Sequence, residues 1–125
     1  MKRVLIVDDN ETVALALSVA FERLSGIQTV VRFDPAAALE LFAAEDNGSD
    51  FAALVTDYNL PRLNGLELIK NVRAIARYRA LPAIVITAGE HEMDLNGNSL
   101  SAPNAIFQKP FSMKEVCRVL EQLLA

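Results

Sequence analysis

The fold is decided by a stretch near the start of the chain, Val4-Leu5-Ile6-Val7-Asp8-Asp9. Its first four residues are apolar and mostly β-branched, which is typical of a short strand buried on both faces of a parallel sheet. Two aspartates follow at once, and ligands of open parallel sheets bind beyond the carboxyl ends of the strands. The stretch therefore predicts a buried first strand that delivers Asp8 and Asp9 to a functional edge.

Strand and helix patterns alternate along the rest of the chain. Four further short apolar runs are predicted to be strands, at residues 29–33, 51–56, 83–86 and 105–107. Between most of them, apolar residues recur at the spacing of a helix with one buried face. This alternation predicts an α/β fold, a doubly wound five-stranded parallel sheet covered by helices on both sides. We expect one domain, residues 1–125.

Helix ends are marked by residues that favour caps. Asp34 followed by Pro35 predicts the start of the second helix, which is expected to close near Asn47-Gly48. Ser112 with Glu115 has the spacing of a capping box and predicts the start of the last helix.

Composition excludes several classes of protein. The chain has 125 residues, of which 52% are hydrophobic, and this is enough apolar material for a core and too much for a disordered chain. The net charge of −4 disfavours direct binding of nucleic acid. Cys117 stands alone, which excludes an internal disulfide and a cysteine-based zinc site, and we expect it in the core. With no apolar run long enough for a membrane span or a secretory signal, a soluble cytoplasmic domain is predicted.

Polar residues also follow the other predicted strands. Asp57 ends the third, Thr87 the fourth and Lys109 the fifth, so they join Asp8 and Asp9 at one edge of the sheet. Each residue alone would fit an ordinary turn or helix cap, and the combination is what favours chemistry. Three clustered carboxylates repel one another unless a cation lies among them. Mg²⁺ suits such a site, because it binds a few protein oxygens and often a phosphoryl group.

Four motifs match a known family in order and in spacing. They are Val4-Leu5-Ile6-Val7-Asp8-Asp9, Val55-Thr56-Asp57-Tyr58-Asn59-Leu60-Pro61 with Gly65, Ile86-Thr87-Ala88, and Lys109-Pro110-Phe111. Over almost the whole chain, the sequence resembles the receiver domain of two-component response regulators. The resemblance implies a flavodoxin-like sheet with the strand order 2-1-3-4-5. Because the resemblance covers almost the whole chain, we expect no output domain in it, and the sequence leaves open whether it is a stand-alone regulator or a fragment of a larger protein.

The resemblance implies a phosphorylation site that depends on Mg²⁺. Asp57 would accept the phosphoryl group from a histidine kinase or a histidine phosphotransfer protein. Asp8 and Asp9 would be the acidic pair that binds Mg²⁺, together with Asp57 and the backbone carbonyl of Asn59. The phosphorylated domain would then signal to a downstream protein or output domain that the sequence does not identify.

Further roles follow from the same resemblance. Thr87 and Lys109 would hold the phosphoryl oxygens, and the bond between Lys109 and Pro110 would be cis. Asn59 and Gly89 occupy positions at which receivers tune the access of water to the phosphoryl group. Because Gly89 has no side chain to shield it, we expect rapid autodephosphorylation.

Two features depart from the family pattern. Receivers usually carry an aromatic residue three positions before the lysine, whereas this chain has Ile106 there and Phe107 one place later. Strand alternation puts these two side chains on opposite faces of the sheet. The expected fourth helix, residues 90–101, is interrupted by an Asn-Gly-Asn run at 96–98, which is poor helix-interior sequence. We therefore expect output through an ordering change in residues 90–103 more than through a rotating ring.

Two other functions remain open at the level of sequence. One is a receiver-like interaction module that is no longer phosphorylated, although the presence of all five site residues argues against it. The other is a small phosphatase with Asp57 as nucleophile. Such enzymes usually have a second acid two residues later, where this chain has Asn59, and a cap for which the length leaves no room. We expect no enzyme activity beyond self-phosphorylation and autodephosphorylation.

Overall fold

Five parallel strands form one sheet in the computed structural model, which describes residues 1–44, 50–89 and 99–125. The strands are β1 (Lys2–Val7), β2 (Ile27–Arg32), β3 (Phe51–Asp57), β4 (Ala83–Thr87) and β5 (Ala105–Gln108). Their spatial order is β2-β1-β3-β4-β5, and every neighbouring pair is parallel. The prediction of a doubly wound, flavodoxin-like sheet is confirmed. Asp57 and Thr87 are themselves the last residues of their strands.

The described residues form four α-helices, of which three lie between strands and the last follows β5. They are α1 (Glu11–Glu22), α2 (Pro35–Ala43), α3 (Gly65–Arg73) and α4 (Met113–Leu124). Short 3₁₀ turns lie at Ala76–Tyr78 and Ser99–Ser101. Residues 90–98, which carry most of the expected fourth helix, lie outside the described residues.

Both predicted helix starts are capped, but only the first half of the capping box predicted at Ser112 and Glu115 forms, because the Glu115 carboxylate accepts from Arg118 instead. Asp34 accepts a hydrogen bond from the amide of Ala36 at 2.8 Å, directly before Pro35 opens α2. The Ser112 hydroxyl accepts one from the Glu115 amide at 3.3 Å. Such bonds satisfy amides that have no partner inside the helix. Both sequence signals therefore identified true helix starts.

The predicted end of α2 is wrong. The helix ends at Ala43, and Ala44 has extended backbone with a ψ of 132°. A guanidinium Nη2 of Arg77 donates to the carbonyls of Phe42 and Ala44, so a tertiary contact satisfies acceptors that a longer helix would have used. Residues 47 and 48, where the end was predicted, lie outside the described residues.

The core consists of two layers, one on each face of the sheet. Residues 4–7 of β1 are fully buried, and they alternate between the layers so that Leu5 packs on one side and Ile6 on the other. The first layer includes buried residues of α1 and α4, and the second includes buried residues of α2 and α3. Phe107 packs against the first layer and Ile106 against the second. The predicted opposite placement of these two side chains is confirmed.

Cys117 on α4 is half-buried and packs against the first layer, in agreement with its expected place in the core. Among the described residues, no helix has the length and apolar character that a membrane crossing would require.

Backbone hydrogen bonds align the carboxyl ends of the central strands. The amide of Tyr58, directly after β3, donates to the carbonyl of Ile86 at 2.8 Å, and the amide of Lys109 donates to that of Thr87 at 2.7 Å. On the other side, the amide of Asp8 donates to the carbonyl of Arg32 at 3.2 Å. The polar residues that follow the strands are thus brought to one edge.

Candidate functional site

Three carboxylates meet at the carboxyl edge of the sheet. Asp8, Asp9 and Asp57 each present an oxygen within 4.8 Å of the oxygens of the other two. Asp8 is 1% exposed and Asp57 is 5% exposed, whereas Asp9 lies at the surface. The sequence predicted this cluster from strand ends alone.

Two oxygens of the cluster are buried without a hydrogen-bond partner among the described residues. They are Oδ2 of Asp8 and Oδ1 of Asp57. The other Asp8 oxygen, Oδ1, accepts from the Asn10 amide at 2.8 Å, which fixes the carboxylate as α1 begins. Buried polar atoms in proteins nearly always have a partner. Two orphaned carboxylate oxygens beside a third, exposed carboxylate therefore fit a hard divalent cation with oxygen ligands.

Burial is the main reason that the site binds protons unusually well. Burial and, to a smaller extent, the negative charge of Asp8 raise the pKa of Asp57 to about 6, while Lys109 opposes the change. Burial also raises the pKa of Asp8. Sequence reasoning attributed such behaviour to repulsion between the carboxylates, but the larger cause is the loss of water around each group.

Lys109 reaches the cluster from β5. Its Nζ lies 3.8 Å from Oδ2 of Asp8 and 3.7 Å from Oδ1 of Asp57, which is close enough for attraction but too long for a hydrogen bond. The peptide bond between Lys109 and Pro110 is cis, as expected. One ammonium faces three carboxylates, so the cluster keeps a negative charge once its acids are ionised.

Thr87 lies beside this cluster at the end of β4. It is 3% exposed, and the register pairs Asp57 with Ile86, so Thr87 stands one residue further along the neighbouring strand. Its hydroxyl makes long contacts with the Gly89 amide at 3.4 Å and the Gly89 carbonyl at 3.5 Å. Since these contacts are weak, the hydroxyl can turn toward another acceptor.

Asn59 and Gly89 lie on the loops that leave β3 and β4. Asn59 is exposed and Gly89 is half-buried. The structure thus joins four predicted residues, Asp8, Asp9, Asp57 and Lys109, in direct proximity, with Thr87 on the adjacent strand.

Gly65 has a role at the site that sequence reasoning missed. A Cβ at this position would lie 2.6 Å from the carbonyl oxygen of Asp57 and 3.2 Å from the Cα of Tyr58. The Gly65 amide also donates to the Tyr58 carbonyl at 2.8 Å. The first residue of α3 therefore packs directly on the backbone of Asp57. The available signal was a glycine directly after Asn64, which caps the helix.

Comparisons with known proteins agree with this geometry. The response regulator receiver domain family matches residues 4–121. The chemotaxis protein CheY1 of Helicobacter pylori is 30% identical over 122 residues, which cover 98% of this chain and 96% of that protein. A CheY homolog of Campylobacter jejuni is 29% identical over 122 residues, which cover 98% of this chain and 92% of that protein.

Solved structures give the same result. A receiver domain of the Francisella response regulator 1452 superimposes with a TM-score of 0.80 at 28% identity, covering 99% of this chain and 97% of that one. A sensor protein from Polaromonas gives a TM-score of 0.82 at 27% identity, covering 98% of this chain and 95% of that one. The family match spans nearly all of the sequence, and the fold and the acidic edge agree with it. The chain therefore belongs to the response regulator receiver domain family.

Proposed function

We propose that this domain accepts a phosphoryl group on Asp57 from the phosphohistidine of a histidine kinase or a histidine phosphotransfer protein. The phosphorylated form would signal to a downstream protein or output domain, in the cytoplasm. The observation that carries the proposal is the Asp57 carboxylate itself. It ends a central strand, holds a buried oxygen without a hydrogen-bond partner among the described residues, and lies close to Lys109 and to two further aspartates.

The transfer follows from the placement of these groups. A carboxylate oxygen of Asp57 attacks phosphorus as the bond between phosphorus and the imidazole nitrogen breaks, which leaves a mixed anhydride and a neutral histidine once protons are exchanged. In the transition state, charge is spread over the equatorial oxygens. The Lys109 ammonium and the Thr87 hydroxyl are the donors placed to stabilise that charge. With a pKa of about 6, Asp57 is largely ionised at neutral pH and can act as the nucleophile.

Mg²⁺ is the proposed cofactor. Asp8, Asp9 and Asp57 would hold it, with the backbone carbonyl of Asn59, and the two orphaned oxygens in the cluster support this donor set. When bound, Mg²⁺ neutralises charge on the carboxylates and on the phosphoryl oxygens. The chain's own contribution is to hold three oxygen donors close together in a buried site.

The proposal is tested by incubating the protein with acetyl phosphate and Mg²⁺ and recording its intact mass. We expect one phosphoryl group per chain. The Asp9→Ala variant should be phosphorylated only weakly, and added Mg²⁺ should restore its phosphorylation only in part. If neither acetyl phosphate nor a beryllofluoride mimic binds, the domain is an unphosphorylated interaction module instead. Repeated turnover of a phosphate monoester would indicate a phosphatase.

The lifetime of the phosphoryl group gives a separate prediction. Gly89→Leu and Asn59→Met should each slow autodephosphorylation about tenfold, equivalent to about 1.4 kcal/mol of barrier. The reason is that an apolar side chain on either loop would shield the anhydride from water, whereas glycine and an exposed amide leave it open. Loss of the phosphorylated mass with time measures the rate, and Gly89→Ala serves as the small control. Equal lifetimes for all three variants and the original protein would contradict this explanation.

A further inference from the structure

Arg73, in the last turn of α3, is a buried cation whose hydrogen-bond partners among the described residues are all uncharged. It is 7% exposed and makes five hydrogen bonds, as many as a guanidinium has N–H groups. Nε and Nη2 donate to the carbonyl of Leu81 at 3.1 and 2.8 Å. Nη1 donates to the carbonyls of Leu100 and Ala102 at 3.2 and 2.5 Å, and Nη2 also donates to Oδ1 of Asn104 at 3.0 Å. One side chain thus ties α3 to the approach of β4 and to the segment before β5.

Asn104 extends this arrangement to the sheet. Its Oδ1 also accepts from the amide of Ala83 at 2.8 Å, and its own amide donates to the Ala83 carbonyl at 2.7 Å. Ala83 is the first residue of β4, and Asn104 directly precedes β5. By binding Asn104, Arg73 therefore fixes the point at which the pairing of β4 with β5 begins.

The same ladder ends at the candidate site. It runs from the pair Ile84 and Ala105 to the pair Thr87 and Gln108, and the next bond joins the Lys109 amide to the Thr87 carbonyl. The contacts that set the pairing of β4 with β5 at the start of this ladder therefore also set which residue lies opposite Thr87 at its end.

β5 is less buried than the central strands, although Ile106 and Phe107 pack against the two layers of the core. It has four residues, none of them fully buried, and it is the edge strand that pairs with β4 alone in the described sheet. A slip of one residue in a strand moves every side chain to the opposite face. In β5 such a slip is opposed by the packing of Ile106 and Phe107 on the two layers and by the hydrogen bonds at the ends of the strand.

We propose that Arg73, acting through Asn104, is a positioning residue that sets the register of β5 and so holds Lys109 beside Thr87 and Asp57. The inference rests on the proposed function in one respect, because it assumes that Lys109 acts on the phosphoryl group. The five bonds of Arg73 reach the approach of β4 and the segment before β5, and none of them reaches β1. These bonds also involve none of the three carboxylates of the acidic cluster.

The test separates phosphoryl transfer from metal binding. Arg73→Lys and Asn104→Ala should lower the rate of phosphorylation by acetyl phosphate about tenfold or more, since a displacement of about 1 Å in a catalytic group can cost as much as a hundredfold. The affinity for Mg²⁺ alone, followed by amide shifts of residues 8–10, should not fall, because displacing Lys109 moves a positive charge away from Asp8 and Asp57. Asn104→Asp keeps the acceptor and should retain the original rate. Arg79→Lys, at an exposed arginine close by, is the matched control.

Two measurements distinguish a positioning role of Arg73 from a role in stability alone. In a Lys109→Ala background, Arg73→Lys should cause no additional loss of rate, because the two changes act on the same group. Hydrogen exchange at residues 105–109 should be faster in Arg73→Lys, with or without phosphorylation. An unchanged rate, or an equal loss of Mg²⁺ affinity, would overturn the proposal. If the original protein takes no phosphoryl group, the proposed function fails, while exchange at residues 105–109 still decides whether Arg73 fixes the register.

Discussion

Replacing Asp57 with asparagine is expected to abolish phosphorylation and, at the same time, to make the metal-free protein more stable above neutral pH. An amide cannot form the anhydride, so the intact mass should remain unchanged with acetyl phosphate and Mg²⁺. The gain in stability has a different cause, which is the removal of a charge that folding takes out of water. The two effects have opposite signs and arise from one side chain.

The pH dependence of the gain follows from the pKa. Folding raises the pKa of Asp57 from 3.8 to about 6, so the folded state holds this proton more tightly than the unfolded state. The contribution of Asp57 to stability is therefore fully present below about pH 3.8 and is lost as the pH rises through 6. At pH 8 the difference corresponds to about 2–3 kcal/mol of unfolding free energy.

Urea unfolding in the presence of a chelator, at pH 5 and pH 8, measures this effect. The free energy of unfolding of Asp57→Asn should be about 2–3 kcal/mol higher than that of the original protein at pH 8, and the difference should be smaller at pH 5. Asp9→Asn removes an exposed carboxylate of the same cluster and should give a smaller gain. Equal stability of Asp57→Asn and the original protein at pH 8 would show that burial of this charge carries no cost.

Gly65→Ala should damage both the fold and phosphoryl transfer. A Cβ placed 2.6 Å from the carbonyl oxygen of Asp57 forces α3 or β3 to move. Overpacking of this kind costs about 1–3 kcal/mol. Because the atoms that must shift belong to the backbone of Asp57, the rate of phosphorylation should fall about tenfold or more at a temperature where the variant is folded.

Gly26→Ala provides the control for Gly65→Ala. Gly26 has a φ of +79°, but a Cβ there would meet no atom within 4 Å. Its replacement should cost about 1–2 kcal/mol through the left-handed backbone conformation, with no change in the phosphorylation rate. Intact-mass kinetics and urea unfolding of both variants distinguish the two cases. If Gly65→Ala were phosphorylated at the original rate, close packing against Asp57 would have no functional role.

The sheet and its acidic edge were predictable because they depend on local patterns. A strand buried on both faces, such as residues 4–7, is a short apolar run in any tertiary setting, and the residue that follows it must lie at the carboxyl edge. The starts at Asp34 and Ser112 are equally local, since a cap bonds amides two or three residues away. The order of the strands was implied by the resemblance to receivers.

What the sequence did not reveal depends on contacts between distant residues. The end of α2 is set by Arg77, which lies more than thirty residues after Phe42. Arg73 bonds Leu100 and Asn104 across a similar distance, and its spacing in the sequence contains no sign of that role. The raised pKa of Asp57 reflects how deeply the carboxylate is buried, a property of the packed sheet as a whole.

The strand order has a consequence for a chain that is being synthesised. β1 lies at the centre of the sheet, between β2 and β3, whereas β5 occupies an edge. A chain is synthesised from its amino end, and a domain generally folds as a unit. Asp8 can meet Asp57 once β3 has been made, but the ammonium of Lys109 emerges only with the last strand. Until Lys109 has been synthesised, divalent ions in the surrounding solution are a counter-charge available to carboxylates that approach one another in the growing chain.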